Sequence, residues 1–279
     1  ILSGSMGNGL FVRNLFPEAF LVGYADWYFR DEAETRYPLS TMPDIPLAPR
    51  NIRNTLQAKN FFDCNCHFTT TEWQREQYPE GMRGFISVLR KCVDTEFFAP
   101  APASRFSFGD CELTERQEIV TLSVRDAARL REGGFWCELP SLLSARPDCH
   151  VVLISTGKEV RLDSLRESMA AFPSGMRGRI HLLDFLPPGA YRDLLCVSSL
   201  HLCKDISFML PSELLEAMSC GCVVLAPDTG AVREVLSDGQ NGFLYPSGRR
   251  MNWVMLITLL LERRSELLSI RRNARKTVF

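Results

Sequence analysis

The chain has 279 residues, a formal net charge of −1 and 46% hydrophobic residues, enough to fill one large or two medium globular cores. A balance this close to zero gives no electrostatic case for nucleic acid as a partner. No run approaches the roughly 18 apolar residues of a spanning helix, so no transmembrane segment is expected, while peripheral contact with a membrane stays open. No signal peptide is visible. The ten cysteines are scattered, mostly inside apolar stretches, and read as reduced core thiols of a cytoplasmic protein. The chain opens on Ile1-Leu2 without an initiator Met and reads as an internal fragment, or as one whose start was lost.

In chain order, residues 19–24 (AFLVGY) form a short apolar strand candidate, followed by a polar, proline-bearing stretch over 30–49. Helical character follows at 51–62, a strand at 68–71, a helix from 71 to 77 and a strand at 85–89. Residues 99–104 (APAPAS) favour an extended linker. Beyond it the pattern alternates regularly. Strands are expected at 118–124, 150–155, 179–183, 199–202, 223–226 and 242–245. Helices are expected at 135–145, 161–171, 190–197, 212–218, 231–236 and 253–270. That alternation implies a parallel sheet covered on both faces, with ligands beyond the carboxyl ends of its strands at the topological switch point. Two domains are expected, 1–104 and 105–279.

The common phosphate loops are absent. Residues 3–9 (SGSMGNG) have glycines in the wrong order for a dinucleotide fingerprint. Thr156-Gly157-Lys158-Glu159 lacks the upstream glycine and the hydroxyl residue of a P-loop. There is no G-x-S-x-G elbow and no H-E-x-x-H. Cys64-Asn65-Cys66-His67 is the one close cysteine cluster. It lacks a C-x-x-C pair and a matching second half, so core packing is favoured over metal ligation. The four histidines are far apart, and a structural role is favoured for each.

The most informative stretch is 211–246, PSELLEAMSCGCVVLAPDTGAVREVLSDGQNGFLYP. Pro211 suits a helix start, and the first-turn amides at Ser212, Glu213 and Leu214 make an anion site strengthened by the helix dipole. Glu216 follows about one turn later among Leu214, Leu215, Ala217 and Met218. A carboxylate there can accept hydrogen bonds from a vicinal diol such as ribose. The alternative is a solvated surface glutamate. Arg125 and Arg131 follow the strand at 118–124. Guanidinium groups there can hold a diphosphate by bidentate hydrogen bonds, although Arg129 beside them is equally consistent with plain surface charge.

These residues resemble the nucleotide-binding signature of retaining glycosyltransferases of the group 1 type, family 4, which have the GT-B fold. The family pattern E-x7-E, E-A-M-A-x-G-x-P-V-V-A, a G-G-x-x-E turn and D-G-x-N-G-x-L is similar to 214–246 of this chain. Glu216 matches the second glutamate. Phe208 stands where the first is usual, as in a bacterial subgroup reading Y-P-F-V-L-S-W-S-L-L-E-A-M. Residues 10–30, 70–79 and 86–100 also resemble that subgroup, and Arg125 and Arg131 fall on its R-x-x-E-P-Y-R-G. Departures are Glu132 for its glycine, Ser3 for a usual histidine, and Lys91-Cys92 for Asp-Gly.

The resemblance implies an α/β chain of GT-B type: two Rossmann-like domains with parallel sheets, the first incomplete. It implies transfer of a hexose from a nucleotide-sugar donor, as co-substrate, to a carbohydrate or lipid-linked acceptor in polysaccharide biosynthesis. The anomeric configuration would be retained, with no metal and no cofactor. Glu216 would bind the ribose, with Phe208 beside the sugar. Arg125 and Arg131 would hold the diphosphate, helped by the amides at Ser212, Glu213 and Leu214. Asp26 would be an acceptor-side polar group near the usual place of a catalytic histidine, with a capping role as its alternative. The departures leave two other readings: a catalytically silent nucleotide-sugar-binding homologue or partner subunit, and a nucleotide-sugar epimerase on the same fold.

Overall fold

The computed structural model describes residues 2–3, 9–30, 47–101, 105–132, 134–157, 160–204, 209–246 and 251–279. The chain divides into two compact units. Unit 1 comprises Ile1–Lys91, Ile206–Pro211 and Asp228–Val235; unit 2 comprises Cys92–Asp205, Ser212–Pro227 and Leu236–Phe279.

Unit 1 is built on a parallel sheet of four short strands in the order β1-β2-β3-β4: β1 Leu2–Ser3, β2 Val22–Tyr24, β3 Cys66–Thr69 and β4 Ile86–Val88. Its helices are α1 Val12–Leu15, α2 Leu47–Asp63, α3 Glu72–Gln77, α4 Glu80–Arg83 and α11 Gly230–Arg233. Gly23 lies opposite His67 in the ladder. A Cβ at Gly23 would stand 2.9 Å from His67 Cδ2 and 3.0 Å from Cys64 Sγ, so the strand needs a glycine there.

The start of α3 is fixed from two sides. Thr71 accepts a hydrogen bond from the Gln74 amide at 3.1 Å, and the Glu234 carboxylate accepts from the Glu72 and Trp73 amides at 3.0 and 2.6 Å. Three first-turn donors that the helix itself leaves unpaired thus find side-chain oxygens. The Trp73 indole also lies flat against Gly230, where an added Cβ would come within 2.2 Å of the ring.

Unit 2 carries a six-stranded, wholly parallel sheet in the order β12-β11-β10-β7-β8-β9. The strands are β7 Glu118–Val124, β8 Cys149–Ser155, β9 Ile180–Leu183, β10 Leu200–Leu202, β11 Val223–Pro227 and β12 Phe243–Tyr245. Counted from the β9 edge the order is third, second, first, fourth, fifth, sixth, the arrangement of a dinucleotide-binding sheet. The central strands are buried on both faces, which is why they read as continuous apolar runs. Helices α5 Ala127–Glu132, α6 Gly134–Ala145, α7 Asp163–Met169, α8 Ser174–Arg177, α9 Pro188–Val197, α10 Ser212–Ser219, α12 Trp253–Glu262 and α13 Leu268–Val278 complete the unit. Leu122, Leu139, Leu153, Leu225 and Ile257 are buried in one core, and Phe106, Leu113, Ile119, Val152 and Leu194 in a second.

Three local features shape unit 2. Helix α10 ends in a Schellman turn: the Gly221 amide donates to Met218 O at 3.0 Å, the Cys222 amide to Ala217 O at 2.9 Å, and Gly221 takes φ +71°. A hairpin of β5 Arg105–Phe108 and β6 Cys111–Thr114 buries Phe106 against its partner Leu113. The helix expected over 253–270 is two helices. A turn over 263–267 lets Arg264 donate to Gln117 O at 2.8 Å and buries Leu267, after which α13 packs on α10. Among the described residues, no helix is long and apolar enough to cross a membrane.

The cysteines only partly follow the core-thiol expectation. Cys111, Cys149, Cys203, Cys220 and Cys222 are buried and Cys64 and Cys196 are half-buried, but Cys66, Cys92 and Cys137 are exposed. Cys66 lies on the exposed side of β3 and Cys137 on the exposed face of α6, while Cys92 lies in the loop after β4.

Candidate functional site

In unit 2 the strand order reverses between β7 and β10, so the crevice that suits a ligand opens past Val124 and Leu202. Arg125 is the first residue beyond β7. Its guanidinium lies 3.8 Å from the carboxylate of Glu213, in the first turn of α10. Arg125 is half-exposed and Glu213 is nearly buried. By helix geometry, the first-turn amides of α10 have no partner within the helix. A cation and a set of N–H donors therefore meet at one end of the sheet.

Glu216 lies one turn after Glu213, on the same face of α10, and is half-buried between the buried Leu215 and Ala217. Both carboxylates act on Tyr191, from α9. Burial, then Glu213, then Glu216 push the Tyr191 hydroxyl well above the usual phenol range, while the nearby Ser123 hydroxyl pulls the other way. Cys203, just past β10, is pushed up by burial and by Glu213, and is drawn down by Arg125. Ser123, Arg125, Tyr191, Cys203, Glu213 and Glu216 thus form one polar group at the switch point. Ser212 is exposed at the helix start, and Leu214 is buried beneath it.

In unit 1, Asp26 is buried two residues past the end of β2. Its carbonyl accepts from Gln74 Nε2 at 2.8 Å. Its carboxylate faces Tyr24 and Tyr78, whose hydroxyls are raised first by burial and then by Asp26. No helix begins at Asp26, so the capping alternative does not apply. Lys91 donates from Nζ to Leu210 O at 2.9 Å.

Two family patterns match this chain. Residues 3–98 match Glycosyl transferase family 4 group, and residues 139–277 match Glycosyl transferases group 1. The chain belongs to the family 4, group 1 glycosyltransferases. It is 27% identical over 169 residues to alpha-maltose-1-phosphate synthase of Mycobacterium tuberculosis (strain ATCC 25618 / H37Rv), covering 60% of this chain and 43% of that protein. It is 30% identical over 154 residues to phosphatidyl-myo-inositol mannosyltransferase of Mycolicibacterium smegmatis, covering 55% of this chain and 37% of that one. The chain thus spans about two fifths of the length of the curated relatives it matches.

Among solved structures, sucrose-phosphate synthase from Thermosynechococcus elongatus superposes with a TM-score of 0.70 at 14% identity, over 100% of this chain and 68% of that one. Anabaena Alr3699/HepE in complex with UDP-glucose superposes with a TM-score of 0.66 at 15% identity, over 96% and 69%. The glycosyltransferase fold is GT-B, an α/β arrangement of Rossmann-like units with parallel sheets.

Of the residues singled out from sequence, the structure gathers Arg125, Glu213 and Glu216 with the start of α10 at Ser212 and Leu214. Arg131 is exposed on α5, and among the described residues none pairs with its guanidinium. Phe208 lies outside the described residues. The sequence reading missed Tyr191, Ser123 and Cys203. Tyr191 gives no local signal, because only the packing of α9 beside α10 turns it toward the carboxylates. The histidines are structural. His201 is sealed inside β10, with Nδ1 2.9 Å from Thr121 Oγ1. The His150 and His181 rings stack, with Nδ1 of one 3.0 Å from Nε2 of the other. Among the described residues, no three His, Cys, Asp or Glu side chains gather as metal ligands.

Proposed function

We propose that this chain is the donor-binding and part of the acceptor-binding portion of a glycosyltransferase that moves a hexose from a nucleoside diphosphate sugar to an acceptor hydroxyl with retention at the anomeric carbon. The observation that carries the reading is the meeting of Arg125 with the first turn of α10 at the switch point, with Glu216 one turn further on. In the reaction the bond from the anomeric carbon to the diphosphate oxygen breaks and the electron pair leaves with the diphosphate. The Arg125 guanidinium and the amides at Ser212, Glu213 and Leu214 stabilise that charge, with Arg131 assisting at the rim. Glu216 accepts hydrogen bonds from the ribose hydroxyls. The acceptor hydroxyl oxygen forms the new bond to the anomeric carbon and gives its proton to the departing diphosphate, and Asp26 is the acceptor-side carboxylate of unit 1. Cationic side chains perform the charge stabilisation, so the proposed reaction is metal-independent.

A second reading is favoured by one observation. Glu213 already places a carboxylate against Arg125, which weakens the cation's hold on a phosphate. That suits a homologue that binds a nucleotide sugar without turning it over. The test incubates the whole protein with a panel of nucleotide sugars and candidate carbohydrate and lipid-linked acceptors. Acceptor-dependent release of nucleotide supports transfer. Binding without release supports the silent homologue. A changed sugar without acceptor supports an epimerase and overturns the proposal.

A further inference from the structure

Tyr245 closes β12, at the edge of the unit 2 sheet two places from β10. Its ring is buried and reaches back across the end of β11. The hydroxyl shares its single proton between two main-chain oxygens, Cys203 O at 3.1 Å and Lys204 O at 3.3 Å. These belong to the first two residues past β10, where the crevice of the switch point opens. The Cys203 amide donates to Leu225 O at 2.9 Å, so β11 holds a donor of this turn and Tyr245 holds its acceptors. Two aromatic contacts orient the ring. Trp253 meets it edge-on with centroids 5.1 Å apart, and Phe135 meets Trp253 in the same way at 5.7 Å. The Trp253 amide donates to the Glu138 carboxylate at 2.8 Å, which fixes the start of α12 beside the ring.

We propose that Tyr245 is a positioning residue for the donor diphosphate: its hydroxyl pins the Cys203–Lys204 turn and keeps two carbonyl oxygens from opposing the ligand's charge. The proposal rests on the donor reading given above. A backbone carbonyl past the carboxyl end of a parallel strand has no ladder partner and carries partial negative charge. Two such oxygens stand at the mouth of the crevice, where a nucleoside diphosphate would bring further negative charge. The Tyr245 proton offsets that charge and holds both oxygens toward its own ring. It also fixes the course of the chain as it leaves β10, without touching the ligand.

Tyr245→Phe keeps the ring and its contact with Trp253 and removes only the hydroxyl. UDP is titrated calorimetrically into the whole wild-type protein and into the variant, and backbone amide exchange is followed in both without ligand. The variant should bind UDP roughly two- to ten-fold more weakly, the worth of one net hydrogen bond. The Cys203 and Lys204 amides should exchange faster, while Val152 and Leu153 in β8 keep their wild-type rates. In the wild type, bound UDP should slow exchange at Cys203 and Lys204, a result that needs no variant to fold. Equal UDP affinity in the two proteins, or unaltered exchange at Cys203 and Lys204, overturns the proposal. Acceleration that extends to β8 would make Tyr245 an ordinary core residue and overturns it too. Wild-type protein that binds no UDP refutes the donor reading itself, an outcome distinct from equal binding, and takes the proposal with it.

Discussion

The Arg125 guanidinium and the Glu213 carboxylate stand 3.8 Å apart, so the cation at the end of β7 is already met by an anion from the first turn of α10. A diphosphate arriving there competes with Glu213 for the same guanidinium and also feels the carboxylate's repulsion. Pairs with one partner this exposed are worth about 0–1 kcal/mol.

Glu213→Gln therefore keeps the helix and its amides but frees Arg125. UDP affinity should rise by roughly two- to five-fold, the range that such a pair can hold back. Arg125→Ala should lower it by about ten-fold, the loss of one charge-assisted contact. Titration calorimetry checks both. Equal affinity in wild type and both variants removes the pair from donor binding.

In unit 1, Gly230 and Glu234 hold α3 through Trp73. Gly230→Ala would drive a methyl into the indole, costing about 1–3 kcal/mol as overpacking. Glu234→Ala removes the acceptor of two first-turn amides and should cost about 1 kcal/mol, like the loss of a helix cap. Thermal unfolding followed by tryptophan fluorescence should show both midpoints falling, Gly230→Ala further. An unchanged midpoint for Gly230→Ala would mean that the indole simply moves aside.

Much of unit 2 was readable from its residues. The strands at 118–124, 150–155 and 223–226 lie within a residue of the observed β7, β8 and β11, because strands covered on both faces are unbroken apolar runs. The hairpin of β5 and β6 was missed, although Phe106 and Phe108 alternate with polar residues and Gly109 takes φ +59° in the turn. The proline-alanine stretch beside it drew attention to a linker instead. The helix over 253–270 was read as continuous because Leu267 and Ile270 carry the apolar pattern past the polar turn between them. At the site, Glu216 stood out because a lone acid interrupts an apolar helix. Tyr191 did not, since its partners are distant in sequence. Glu213 could be placed on the first turn, but its pairing with Arg125 depends on how α10 meets the end of β7.

Acid should destabilise the chain through its buried histidines. Burial holds His201 and His181 down to about 4, against the ordinary 6.5 of an unfolded chain. The unfolded state binds more protons in that window, so the contribution is fully present above pH 6.5 and is lost as pH falls toward 4. For the sealed His201 the loss at pH 5 is on the order of 2 kcal/mol. Urea unfolding at pH 7.5 and pH 5 measures it. His201→Gln should flatten the dependence, and an unaltered slope would place the titration elsewhere.

Sugar transfer by the whole protein should persist in excess EDTA, since guanidinium groups and helix amides carry the charge of the departing diphosphate. Assay before and after exhaustive chelation gives the comparison. Activity that vanishes and returns with a divalent ion contradicts the metal-independent mechanism.

The most direct measurement is calorimetric titration of UDP and UDP-glucose into the wild-type protein and into Glu216→Ala. Binding by the wild type, weakened about ten-fold or more in the variant, is the predicted result, because a ribose diol loses its acceptor. Identical affinities in the two proteins would contradict the placement of the donor on α10.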